Sequence, residues 1–286
     1  MKPASFDYHR PGTVEEVVGL LAELGEDAKI LAGGQSLVPM LSMRLAYFDH
    51  LIDISRLPEL QGIEVRSGQL WIGAGVTEAE VGSNAQVRHD VPLLTLATPF
   101  VGHPQIRNRG TVGGSVAHAD PAAEMPGIVV ACDAEIAVIG KAGARTIKAG
   151  EFFEGPLMTV LAPDEIIVEI KLPAWPSARR WGFQEFARRR GDFALAAAAV
   201  FYDQDANGRA RNAHVGVIGV ADRPLRLPSV EAVLNGNVID EATIAKADAA
   251  AAAAVNPDDD IHASSAYRKS LLGTMVERAL KAAASR

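Results

Sequence analysis

Arg107-Asn108-Arg109-Gly110-Thr111-Val112-Gly113-Gly114-Ser115 is the stretch on which the reading of this chain turns. It packs three glycines, two hydroxyl side chains and two arginines into nine positions. Glycine carries no Cβ, so backbone N–H groups can converge on an anion without obstruction. Successive N–H groups in such a turn form a nest that favours phosphate oxygens. A second stretch, Ala32-Gly33-Gly34-Gln35-Ser36, follows an apolar run and offers the same chemistry, with Lys29-Ile30-Leu31-Ala32 reading as a short buried strand that runs straight into Gly33-Gly34. That order puts the loop at the carboxyl end of a strand, where ligands commonly bind. Either stretch alone reads equally as an ordinary glycine turn. Together, far apart in sequence, they suit a long ligand with an internal diphosphate.

Neither is followed by the Gly-Lys-Ser/Thr of a Walker A loop, and neither is Gly-x-Gly-x-x-Gly. A mononucleotide hydrolase and an ordinary Rossmann dehydrogenase are therefore disfavoured. Downstream of Ser115, Asp120 reads as an N-cap with Pro121 at the first helical position and Glu124 in the first turn. Glu124 has two open readings, a favourable charge on the helix dipole or an acceptor for ligand hydroxyls. His118 and Asp120 lack the His or Cys neighbours a metal site needs. His118 remains either a polar neighbour of the ligand or a hydrogen-bonding group at the helix entry.

Towards the N-terminus, Thr13 with Glu16 reads as a capping box, and Val14, Val17, Val18, Leu21 and Leu24 share one helical face up to Gly25. Pro39 argues against a helix beginning at Leu37. Strands are expected at 29–32 and 49–54, a hairpin over 64–74 turning at Ser67-Gly68, and short helices at 77–81 and 92–97. Further strands are expected at 135–139, 145–148 and 165–172, before a Pro-rich linker over 173–177. Three strands (180–187, 195–202, 210–219) and three helices (229–234, 240–255, 264–284) complete the chain, the second and third strands pairing antiparallel. Phe193 enters a strand, as a core aromatic or as a cover for a planar heterocycle.

At 286 residues and 48% hydrophobic content the chain can build two domains with real cores, here expected as 1–176 and 177–286, the first divided near residue 56. A net charge of −7 gives no expectation of a nucleic-acid surface. With neither a leader-like h-region nor a bilayer-length apolar run, a cytoplasmic protein without an integral membrane segment is expected. The single cysteine, Cys132, lies in the apolar run Ile128–Cys132 and reads as a buried small hydrophobe. One thiol cannot hold an iron–sulfur cluster.

Taken in order, Ala32–Ser36, His103–Gly110, Thr111–Gly114, Ala117–Pro121, Pro163–Ile166, Arg190–Ala194 and Ser265–Arg268 resemble the FAD-binding medium subunit of molybdenum hydroxylases. The resemblance covers the whole chain and is nearest the aerobic carbon-monoxide dehydrogenase type, with the FAD domain of xanthine dehydrogenase more distant. It implies an α+β fold: a vanillyl-alcohol-oxidase-like (PCMH-type) FAD domain in two subdomains, then a C-terminal α+β domain with a three-stranded antiparallel sheet and helices. It places FAD contacts on Leu31, Ala32, Gly33, Gly34, Gln35, Ser36, Leu37, Val101, Thr111, Gly113, Gly114, Ser115, Ala117, His118, Asp120, Glu124, Leu161, Ile167, Gln184 and Phe193, and no catalytic side chain or metal ligand. Gln35 stands where carbon-monoxide dehydrogenases commonly carry histidine, Phe193 near their tyrosine, and Gln184 near a lysine of some relatives.

The implied role is electron transfer. A small 2Fe–2S subunit would supply electrons from a large molybdopterin subunit, in a dimer of heterotrimers, and FAD would pass them to NAD, a quinone or oxygen. A stand-alone flavin oxidoreductase and an FAD-less assembly scaffold are the alternatives.

Overall fold

The computed structural model describes residues 2–286. Its first layer is a three-stranded parallel sheet in the order Asp7–His9, His50–Asp53, Ala28–Leu31. The crossover helix, Val14–Leu24, starts as its sequence dictates, with Thr13 Oγ1 accepting from the Glu16 N–H at 3.1 Å. The Glu16 carboxylate reaches one residue further out than a capping box requires and accepts from the Gly12 N–H at 2.6 Å. Val14, Val17 and Leu21 are buried against Ile52, Leu57 and Leu60.

Beyond Leu31 the chain turns through Ala32–Ser36 into a helix, Leu37–Ser42. Pro39 does not prevent it. It is the third helical residue, and N–H groups in a first turn have no intrahelical acceptor to lose.

The second sheet is antiparallel, in the order Ile63–Arg66, Gln69–Gly73, Ile166–Pro173, Glu135–Gly140, Gly143–Lys148. Its first hairpin turns with Ser67 at φ 52° and Gly68 at φ 76°, the paired left-handed conformation that matches strand twist. The helices Pro92–Ala97, Val112–His118 and Glu124–Ala131 contribute to its core. Ala85–Asp90 is a further helix, capped by Asn84, that the sequence reading passed over. Asp120 does not cap the helix expected of it. Its Oδ1 accepts from the Ala122 N–H at 2.8 Å, which closes a local turn, and the helix begins at Glu124. Cys132 is buried, and burial pushes its thiol far up.

The C-terminal sheet runs Arg180–Phe186, Ala196–Gln204, Ala210–Ile218, all antiparallel, with a two-residue fourth strand, Leu225–Arg226, beyond the three expected. Alternation along the middle strand divides it. Ala196, Ala198, Val200 and Tyr202 join the core beneath the helices Glu241–Ala254 and Ser265–Ala284, whereas Ala197, Ala199 and Phe201 join the core of the second sheet. The Pro173–Ser177 stretch is no loose tether, since Trp175 is 8% exposed with its ring centroid 4.6 Å from that of Phe201.

Arg268 explains one motif of the sequence. It is buried, and its guanidinium donates to the Leu195 carbonyl (2.9 Å), the Gly219 carbonyl (2.8 Å) and the Asp260 carboxylate (2.7 Å). Arg268→Ala strands two carbonyls, and urea unfolding should show a loss on the order of 3 kcal/mol. A loss below about 1 kcal/mol would mean that water replaces the guanidinium.

Candidate functional site

The two glycine stretches meet. A Cβ on Gly33 would fall on the Arg109 carbonyl oxygen and 2.8 Å from Gly110 Cα, so the loops touch backbone to backbone. A Cβ on Gly114 would lie 3.4 Å from that of Ala32. Two adjoining cavities of about 310 and 440 Å³ open along this seam and share Ala32, Gly33, Asp53, Ser55 and Arg109. Leu31, Gly34 and Gln35 line the smaller; Thr111, Arg10 and Arg56 line the larger.

Backbone hydrogen bonding separates the roles of the two stretches. Among the described residues, the N–H groups of Gly33, Gly34, Gln35, Ser36 and Leu37 find no protein acceptor. Gly34 holds φ 73°, which helps turn this row of donors. Gly33 is buried, Gln35 is exposed and the other three are half-buried, so this row of donors is left free to meet an anion supplied from outside the chain.

The second stretch differs from its sequence reading. It is the start of the Val112–His118 helix, and its donors are taken: Val112 to the Val76 carbonyl (3.0 Å), Gly113 to the Ala74 carbonyl (2.9 Å), Gly114 to Thr111 Oγ1 (3.1 Å) and Ser115 to the Thr111 carbonyl (2.9 Å). Gly113 is glycine for packing, since a Cβ there would lie 2.7 Å from the Ala74 oxygen. Thr111 and Gly114 hold the helix start. What this segment leaves accessible is the half-buried Ser115, the exposed Ala117 and the half-buried His118. Burial pulls the His118 pKa down, with Asp120 opposing and Lys29 reinforcing, which favours the neutral ring.

Electrostatics favour an anion at the seam. Arg10, Arg56 and Arg109 line the larger cavity, and none is in an ion pair among the described residues. Asp53 is the one carboxylate lining it. Burial works against that charge, but the Tyr8 hydroxyl, the Ser55 N–H and Arg10 together hold its pKa below the ordinary range.

The remaining expected residues lie further along. The Val101 carbonyl accepts from Arg107 Nη1 at 2.8 Å. Leu161 and Ile167 pack into the second-sheet core, Glu124 is 6% exposed, and Phe193 is 63% exposed and so no core aromatic. Gln184 is not brought to the site. Its strand neighbours Gly182 and Phe186, on the same face, pack towards the Ser265–Ala284 helix, so Gln184 faces the C-terminal helices. Its neighbour Glu185 shares a face with Phe183, and burial, then the charge of Glu124, push its carboxyl up. Strand alternation could have exposed that one-residue difference. Nothing in the sequence marked Glu78, Arg10 or Arg56. No group of three or more His, Cys, Asp or Glu among the described residues is arranged to hold a metal ion.

Against known proteins, residues 4–175 match the FAD binding domain in molybdopterin dehydrogenase, and residues 181–283 match the CO dehydrogenase flavoprotein C-terminal domain. The chain is 38% identical to the carbon monoxide dehydrogenase medium chain of Hydrogenophaga pseudoflava, over all of this chain and 99% of that one. It is equally, at 38%, identical to the nicotine 6-hydroxylase medium subunit of Paenarthrobacter nicotinovorans, over the full length of both. Among solved structures, a chain of quinoline 2-oxidoreductase from Pseudomonas putida 86 superposes with a TM-score of 0.95 at 38% identity, covering 100% of this chain and 99% of that chain. With both domains matched and these full-length relatives, the chain belongs to the FAD-binding flavoprotein (medium-chain) family of the molybdopterin dehydrogenases.

Proposed function

We propose that this chain is the FAD-carrying electron-transfer subunit of a cytoplasmic molybdenum hydroxylase, working between a small 2Fe–2S subunit and an external acceptor. The observation that carries the reading is the row of unpartnered N–H groups from Gly33 to Leu37 beside the Arg109 side of the seam. Those amides and Arg109 would hold the diphosphate of FAD. The Ser115 hydroxyl and the Glu124 carboxylate, on successive helices, would take hydroxyls of the ribityl chain, and Phe193 would lie towards the ring. Bound FAD supplies the ability to exchange electrons singly with a metal cluster and in pairs with an acceptor. The chain's own work is to bind, orient and shield it; no side chain acts as a catalytic acid or base on a substrate.

Relatives of nearly equal identity carry names that refer to carbon monoxide and to nicotine. That spread supports placing substrate oxidation on a partner subunit rather than on this chain; in our reading the partner is a large molybdopterin subunit, the assembly a dimer of heterotrimers, and the acceptor NAD, a quinone or oxygen. The relatives are named as chains of multi-subunit complexes, and a lone buried cysteine supplies no cluster here. Among the described residues, no helix is long and apolar enough to cross a membrane.

Titration of the purified chain with FAD, followed by the flavin spectrum, tests the reading. Arg109→Ala removes one charged donor, worth about 1.5–3 kcal/mol, and should weaken FAD binding roughly 10- to 100-fold without lowering the melting temperature. Unchanged affinity would remove Arg109 from the site; no binding by the wild type would overturn the reading.

A further inference from the structure

Two histidines meet across neighbouring strands of the first sheet. Parallel pairing sets Asp7 beside His50 and His9 beside Ile52. Alternate residues of a strand share a face, so Asp7, His9 and His50 lie on one side of the sheet. Nε2 of His9 stands 3.1 Å from Nδ1 of His50, with ring centroids 5.1 Å apart and ring planes tilted by 55°. The Asp7 carboxylate lies 3.8 Å from that same Nδ1. Among the described residues, no other pair of the chain's seven histidines is in contact. Two imidazole nitrogens bound to one ion at about 2.0–2.1 Å stand roughly 2.8–3.4 Å apart, over bond angles from octahedral to tetrahedral. The observed 3.1 Å falls inside that range with the strands where they are.

We propose that His9 and His50 form a binding site for a divalent late first-row metal ion, copper, nickel or zinc. Neutral imidazole is the commonest metal ligand in proteins and suits these ions, whereas magnesium and calcium take oxygen. Each ring can keep its proton on the far nitrogen, His9 Nδ1 or His50 Nε2, which has no protein partner among the described residues. Both near nitrogens then offer lone pairs to the ion. Both rings are half-buried, close enough to the surface for an ion to enter. Two imidazoles fall short of the ligand set of a structural zinc centre, so water fills the remaining positions and the ion exchanges. The Asp7 carboxylate, on an exposed side chain, adds a favourable negative charge beside it.

The site's place in the fold gives the ion a structural task. Asp7–His9 is an edge strand of only three residues, and the ion ties it to His50–Asp53. Between the two ligand-bearing positions of that strand, Tyr8 points to the opposite face, where its hydroxyl donates to Asp53. Tyr8 and the following Arg10 line the larger cavity. The ion thus clamps, from behind, a strand that supplies one wall of the seam.

Electron paramagnetic resonance of the purified full chain, titrated with Cu2+ alone, tests the site. The first equivalent bound by wild type should show the splitting of two imidazole nitrogens. His9→Gln and His50→Gln should each lose one nitrogen from that spectrum and weaken the binding. Losing a hydrogen-bond partner behind a ligand costs about 10- to 100-fold in affinity, so losing the ligand itself should cost at least that. His89→Gln, which removes an exposed ring bonded to Asp90, should change neither. Ni2+ should raise the melting temperature of wild type and of His89→Gln but of neither His9→Gln nor His50→Gln. A wild-type spectrum with fewer than two imidazole nitrogens would overturn the site, and that count stands whatever the stability of the variants. Binding that is unchanged in both His9→Gln and His50→Gln would overturn it too.

Discussion

Gly33→Val should yield a chain that purifies without flavin, melts at least about 3 kcal/mol less stable, and regains no yellow colour when FAD is added. The new Cβ would fall on the Arg109 carbonyl oxygen, a backbone atom that cannot rotate aside. Relief requires the Ala32–Ser36 loop to part from the Arg109–Gly110 turn, which opens the seam where both cavities lie. Gly33→Ala carries the same Cβ and should share most of the effect. Gly19→Ala is the control. It lies within the Val14–Leu24 helix with nothing within 4 Å of a Cβ, so it should hold or add about 0.5–1 kcal/mol. Flavin retained in Gly33→Val would mean that the two loops do not jointly form the site.

Glu78→Gln should make the folded chain markedly more tolerant of alkali. Burial, and then the Glu124 charge, raise the folded-state pKa of Glu78 from 4.5 to about 8. Between those values the folded chain keeps a proton that the unfolded chain has lost. Stability therefore falls as pH climbs from about 4.5 to about 8, and the full penalty applies above that. At 1.36 kcal/mol per unit the penalty is on the order of 5 kcal/mol. Glutamine keeps the shape without the charge. Urea unfolding at pH 6 and pH 9 should show wild type losing stability over that interval and the variant losing much less. Parallel losses would show that Glu78 ionises freely in the folded chain.

Local chemistry made much of this fold legible in the sequence. Thr13 caps, Gly25 ends a helix and Ser67-Gly68 turns a hairpin because each acts through its own few neighbours. The errors came where a residue's effect depends on its place in an element. Pro39 breaks a helix interior but is harmless in a first turn, and Asp120 can cap a helix or close a turn with the same oxygen. The glycine stretches were visible, yet their difference was not. Whether Gly113 offers its N–H to a ligand depends on Ala74, a partner 39 positions away that no local pattern reveals. Glu78 and Glu185 escaped for the same reason, because burial and the lack of a partner are properties of the assembled interior.

The most direct test of the account is amide mapping of the isotope-labelled chain by two-dimensional NMR as FAD is added. The account predicts saturable shifts concentrated on the N–H groups of Gly33, Gly34, Gln35, Ser36 and Leu37, with Gly113 and Gly114 moving far less because their donors are already bonded within the fold. FAD binding that leaves the Gly33–Leu37 amides unmoved, or no binding at all, would contradict it.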